Sequence, residues 1–362
     1  IMPYAAAGAV LAVTASELCA LVCLLVRKKF CKRIIDTSAG DTSTDRAAVI
    51  AKRLIKSCIP VSTAAIVVNL SSFIDLITIP RCLNFALSSD PEYFTACFSD
   101  IIKAQGGAVR LANFMYGSYT GLSWTMFMLI PSFTAMFGRS ALPQIAGAWT
   151  LGNRKEFERK VTVVLRSNFV IGFPLYLGLS AMSRQILEFL FSGRQQEVTV
   201  SATSLFILGL GGVFLTLSST FISIFQVIGR SDLPVKLMLP GCAVKLIFNV
   251  FTISVPVINI NGAAVSTVIM YAAVALGGYF ALENVTGIDF HIIRRMAVPL
   301  SAGVVCAFVS RIMYGIAPES VNAVAALFLP IASGGAVYLI LLIIFNEINL
   351  KSLLNRQKRK NF

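Results

Sequence analysis

The sequence predicts an all-α integral membrane protein with about nine transmembrane helices. Composition points that way: 56% of the 362 residues are apolar and 13% charged, against roughly 45–50% and 25% in a soluble domain. The mean hydropathy of +0.79 agrees. Nine apolar windows approach the ~20 residues that a helix needs to cross about 30 Å of hydrocarbon. Helices are required there because lipid offers the backbone no hydrogen-bond partners.

The first window, 4–26, begins almost at Ile1 with no charged leader, which predicts a fragment. A basic stretch and SAGDTSTD then make 27–53 a flexible cytoplasmic linker. The second window is 54–79, and 80–114 follows as a long external loop carrying Asp90, Glu92 and Asp100. After 115–137, the stretch 141–160 reads as an amphipathic helix along the membrane, with Trp149 at headgroup depth. After 161–182, short connections separate 202–229, 235–257 and 260–282, so these neighbours pack antiparallel. The last two windows are 295–313, cut short by Arg311, and 320–346. Pro131, Pro174, Pro240, Pro299 and the run Gly209, Gly211 and Gly212 mark expected kinks.

The net charge of +14 comes from 31 Lys and Arg against 17 Asp and Glu. Of the 31, 22 fall in one alternating set of loops, six in the other and three within spans. That asymmetry puts the amino terminus outside and the carboxyl terminus in the cytoplasm of a cell-membrane protein. It also excludes a nucleic-acid partner, because the basic residues are scattered over every cytoplasmic loop. The tail 351–360, KSLLNRQKRK, reads as an orientation signal or as a contact with anionic lipid.

Enzyme chemistry finds no constellation here. His291 is the lone histidine, and no nucleophile elbow or phosphate-cradling Gly loop precedes a Lys. Neither a metal nor a cofactor is expected. Most of the eight cysteines lie in spans as small hydrophobes, while Cys82 and Cys97 share a loop and are the one candidate pair.

Charges near the bilayer centre cost about 2.5–3.5 kcal/mol on insertion scales, so they have partners or line wet cavities. Glu17 sits mid-span in AVTASELCALV, and Lys245 sits mid-span in LPGCAVKLIFNVF. Asn249 and Gly241 share a helix stripe with Lys245, the small residue making room. Two readings stand for Lys245: with Asn249 it lines an aqueous pathway and meets a phosphate, or it pairs internally with a carboxylate such as Glu17. Asp75, above Ser71 and Ser72, is expected to pair with Arg81 at an outer mouth or to reach headgroup water. Lys56 and Arg166 lie near span ends and snorkel.

Four segments, FIDLITIPRCLNFAL (73–87), 116–157, FISIFQVIGRSDLPVK (221–236) and VKLIFNVFTISVPVININGAAVST (244–267), resemble the stage V sporulation protein B-like polysaccharide flippases. Those belong to an exporter superfamily with lipid II flippases and multidrug/cation antiporters. The family pattern is fourteen helices: two lobes of six around a cavity, then two more. By that resemblance the chain holds the last nine. Residues 1–53 would end the first lobe and carry the linker, 54–290 would form the second lobe, and 291–362 the extra pair with the basic tail. The implied function is flipping a lipid-linked polysaccharide or peptidoglycan precursor by alternating access. Such a carrier is of the undecaprenyl-diphosphate type, and Lys245, Asn249 and Arg81 would meet its charges. Membrane lipids and cell-wall synthesis proteins are the implied partners. The rival readings are a multidrug/cation antiporter and a non-transporting scaffold in cell-wall or spore-cortex synthesis. The scaffold reading predicts a buried, paired Lys245 with no connected cavity.

Overall fold

The computed structural model describes residues 2–30, 47–105, 107, 110–139, 141–316 and 322–345. Residues 31–46 of the expected linker, the tail 351–360 and the side chain of Lys56 lie outside the described residues. All the described secondary structure is helical.

Two units are each compact in themselves, Ile1–Ser57 and Cys58–Phe362. The first holds α1 (Met2–Phe30) and the opening turns of α2 (Ala47–Ser89). The second carries the rest of α2, then α3 (Pro91–Gln105), α4 (Leu111–Ser118), a π-helical turn (Tyr119–Trp124) and α5 (Thr125–Arg139). After it come α6 (Leu142–Thr150), α7 (Arg154–Ala181), α8 (Ser183–Leu190) and α9 (Gln195–Val227). The chain continues through α10 (Asp232–Ile253), α11 (Asn261–Thr286), α12 (Ile292–Ile316) and α13 (Ala323–Ile344).

Among the described residues, seven helical stretches are long and apolar enough to cross a membrane: Asn69–Ser89, α7, α9, α10, α11, α12 and Val324–Ile344. The window 4–26 lies in α1. The window at 115–137 is also helical, but it is divided among α4, the π-helical turn and α5. There the Thr125 hydroxyl donates to the Thr120 carbonyl, five residues back, at 3.0 Å. An i→i+5 turn accommodates one extra residue and re-aims the side chains beyond it.

The expected external loop at 80–114 is mostly helix, which corrects that expectation. Residues Ile79, Cys82, Leu83 and Ala86 are buried together and carry α2 on to Ser89. Their spacing is helical, but polar neighbours lower the mean hydropathy and hide the signal. Asp90 then caps α3: its carboxylate accepts the Tyr93 N–H at 3.0 Å. Pro91 follows it as the first residue of that helix, where a missing N–H costs nothing. Cys82 is buried, Cys97 is exposed and both are free thiols, so the candidate pair does not form.

The amphipathic stretch at 141–160 is likewise two elements. Gly152, at φ +66°, reverses the chain, and the Asn153 side chain caps α7 by accepting the Glu156 N–H at 3.1 Å. Trp149 packs against Phe157, with ring centroids 5.0 Å apart, and is half-buried on that core.

Helix α9 is the axis of the second unit, packing against α7 and α11. Its glycines are contact sites. A Cβ on Gly212 would sit 2.1 Å from the Tyr176 ring on α7, and one on Gly211 2.2 Å from Val268 on α11. Small residues let membrane helices approach closely where no hydrophobic force drives them together. Hydrogen bonds reinforce these seams, from Asn168 Nδ2 to Thr220 Oγ1 at 2.8 Å and from Ser218 Oγ to the Tyr271 carbonyl at 3.0 Å. Pro131, Pro174, Pro240 and Pro299 all lie inside continuous helices. Helix α12 packs on α7 and on α13.

Candidate functional site

Three helices bring their polar stripes together in the second unit. Ser71, Asp75 and Thr78 fall on one face of α2, at helical spacings of four and three. Gly241, Lys245 and Asn249 fall on one face of α10, four residues apart. Ser266 comes from α11. Gly241 lets α10 sit tight on α11, since a Cβ there would lie 2.7 Å from Val274.

Lys245 and Asn249 are fully buried, and Asp75 is 5% exposed. The Lys245 ammonium donates to Asp75 Oδ2 at 2.6 Å, to Ser71 Oγ at 2.8 Å and to the Ser71 carbonyl at 3.5 Å. Asn249 Nδ2 gives one proton to Asp75 Oδ1 at 3.1 Å and the other to Thr78 Oγ1 at 2.9 Å. Its Oδ1 accepts from the Ser266 hydroxyl. Thr78 passes its own proton to the Ile74 carbonyl at 2.6 Å. Both carboxylate oxygens, all three ammonium protons and both amide protons are therefore matched. The Trp124 ring, delivered by the π-helical turn, lies 5.6 Å from the ammonium, within cation–π range.

A closed network of this kind rigidifies a low-dielectric interior, and an incomplete one is costly. The ammonium is thus sealed against a carboxylate. Two cavities, of about 550 and 180 Å³, are lined by residues outside the network.

Of the five residues expected on a transport pathway, Lys245, Asn249 and Asp75 meet in one place. Arg81 is exposed, beyond Asp75 on the same helix, and Asp75 gives its oxygens to Lys245 and Asn249 instead of to Arg81. Glu17 lies in the first unit with its side chain exposed, and the carboxylate partner of Lys245 within the second unit is Asp75. Sequence reasoning missed Thr78, Ser266 and Trp124. Thr78 was within reach, three residues from Asp75, but nothing in a sequence places α11 or a π-helical turn beside Lys245. No group of three or more His, Cys, Asp or Glu among the described residues is arranged to hold a metal ion.

No family model matches the chain. It is 26% identical to stage V sporulation protein B of Bacillus subtilis (strain 168) over 95% of its own length and 62% of that protein's. It is 25% identical to the lipid II flippase MurJ of the same organism, over 59% of this chain and 40% of that one. A solved structure of lipid II flippase MurJ, in an inward closed conformation, superposes with a TM-score of 0.52 at 19% identity, covering 65% of this chain and 50% of that one. The chain spans 29% to 62% of the length of the curated relatives it matches. By these matches the chain is a multi-pass membrane protein, distantly homologous to stage V sporulation protein B and lipid II flippase MurJ, and it shares the fold of the latter over 65% of its length.

Proposed function

We propose that this chain forms the last helix of the first lobe, the second lobe and the C-terminal helices of a flippase, one that moves a lipid-linked polysaccharide or peptidoglycan precursor across the cytoplasmic membrane. The observation that carries the reading is the likeness to stage V sporulation protein B over 95% of the chain, supported by the MurJ-like fold. In this reading Lys245 and Asp75 latch α2 to α10 in a closed state, and alternating access parts them. The released ammonium, with Asn249, then meets the diphosphate of an undecaprenyl-type carrier. Arg81 receives the glycan or diphosphate nearer the surface, and Glu17 faces the pathway from the first lobe. The carboxyl terminus is cytoplasmic and the amino terminus outside, following the basic loops.

A second reading, a non-transporting scaffold of cell-wall or spore-cortex synthesis, is favoured by one observation. The ammonium is fully buried and paired, as that reading requires. A neutral pair separates the two. Asp75→Leu with Lys245→Met removes both charges together, which is often neutral for stability. In a host depleted of its own flippase, the full-length double variant is expected to reach the membrane at normal abundance, fail to support growth and leave lipid-linked precursor in the inner leaflet. Normal growth with the double variant would assign the pair to structure alone.

A further inference from the structure

The cavity of about 550 Å³ lies between α7, α8, α9 and α12. Its body is apolar: Leu177, Phe206, Leu210, Val304 and Phe308 line it. Phe206, Leu210, Val304 and Phe308 are also partly exposed, at 45%, 48%, 39% and 64%. An opening edged by such side chains on membrane-spanning helices faces hydrocarbon. From Thr199 to Leu210 along α9 the wall runs about 16 Å at 1.5 Å per residue, a length that suits one acyl chain.

The mouth is different. Arg184, at the start of α8, and Arg311, on α12, both line the same cavity. Arg184 gives its Nε to Glu188 at 2.7 Å, which holds the guanidinium in place and leaves its terminal nitrogens as further donors. Arg311 reaches the Ala181 carbonyl at the end of α7 at 3.5 Å, and no carboxylate among the described residues forms an ion pair with it. Two guanidinium forks at one end of an apolar groove are the complement of a phosphate at one end of a hydrocarbon chain. Ser183, next to Arg184 in the chain and also on the lining, adds a hydroxyl there.

We infer that this groove is a binding site for an anionic glycerophospholipid of the surrounding bilayer. Arg184 and Arg311 take the phosphate, and one acyl chain lies along α9 and α12. The occupant is a bilayer phospholipid because the groove opens sideways to lipid, and because none of its lining residues belongs to the Lys245 network. The lipid wedges α12 against α7 and α9, tying the C-terminal helix pair to the lobe.

The test uses the full-length protein in nanodiscs with spin-labelled dioleoyl phosphatidylglycerol and phosphatidylcholine, and needs no transport assay. The wild type is expected to immobilise phosphatidylglycerol selectively. Arg184→Gln with Arg311→Gln should lower that selectivity about tenfold, the loss expected for one or two charge-assisted hydrogen bonds. Ala307→Trp, which fills the groove, should release the bound lipid while both arginines remain. Lys236→Gln, an exposed basic residue outside the groove, should change nothing. Equal retention of the two lipids by the wild type, unchanged selectivity in the arginine variant, or displacement of phosphatidylglycerol by equimolar undecaprenyl diphosphate would each overturn the assignment. Because the readout is lipid retention, it can fail while the flippase reading stands, and the reverse.

Discussion

Lys245 Nζ and Asp75 Oδ2 lie 2.6 Å apart across 170 positions of sequence, both buried within helices that cross the membrane. The pair joins α2 to α10, and Asn249 doubles the link by donating to the other carboxylate oxygen.

Removing one charge alone leaves the other buried without a counter-ion. Lys245→Met is therefore expected to destabilise the full-length protein by about 3–5 kcal/mol, and the double variant with Asp75→Leu to recover most of that loss. Thermal unfolding in detergent, followed by helical circular dichroism, measures both. Equal melting temperatures for the single variant and the wild type would mean the pair is not formed in the folded protein.

Asn249 spends both amide protons and its carbonyl on Asp75, Thr78 and Ser266. Asn249→Leu keeps the approximate volume and strands those partners, at about 1–3 kcal/mol. Asn249→Asp should cost more, because a second carboxylate would face Asp75 at hydrogen-bond distance. The same melting experiment ranks the two, and the reverse order would show that Asn249 does not face Asp75.

Gly212 leaves no space for a side chain beside Tyr176. Gly212→Val, which adds a branched side chain at that contact, should separate α9 from α7 and reduce the folded yield in the membrane severalfold. Gly335, at which a Cβ would meet nothing within 4 Å, supplies the control, and Gly335→Ala should leave the yield unchanged. Fluorescence-detected gel filtration of both variants reads the difference directly.

Cys97 is exposed and Cys82 buried, both as free thiols. In variants that each keep a single cysteine, Cys97 is expected to react with a membrane-impermeant maleimide on intact cells and Cys82 is not. Labelling of Cys97 only after the cells are opened would reverse the proposed orientation.

Composition and hydropathy are local averages, and they were enough to read a bundle of membrane helices and the windows that become α7 and α9 to α13. The same averaging hid α3 and the last turns of α2, where polar residues dilute a helical face. The value of Lys245, Asn249 and Asp75 was also legible, because a polar group in an apolar window is costly wherever its partner lies. Which groups meet was not. Whether Asp75 turns to Arg81, six residues along its own helix, or to Lys245 depends on how α2 and α10 are rotated about their axes. Close packing at Gly241 and Val274 seats α10 on α11, and the π-helical turn carries Trp124 beside Lys245. Such contacts depend on shape between distant segments, and hydropathy along a chain carries no record of shape.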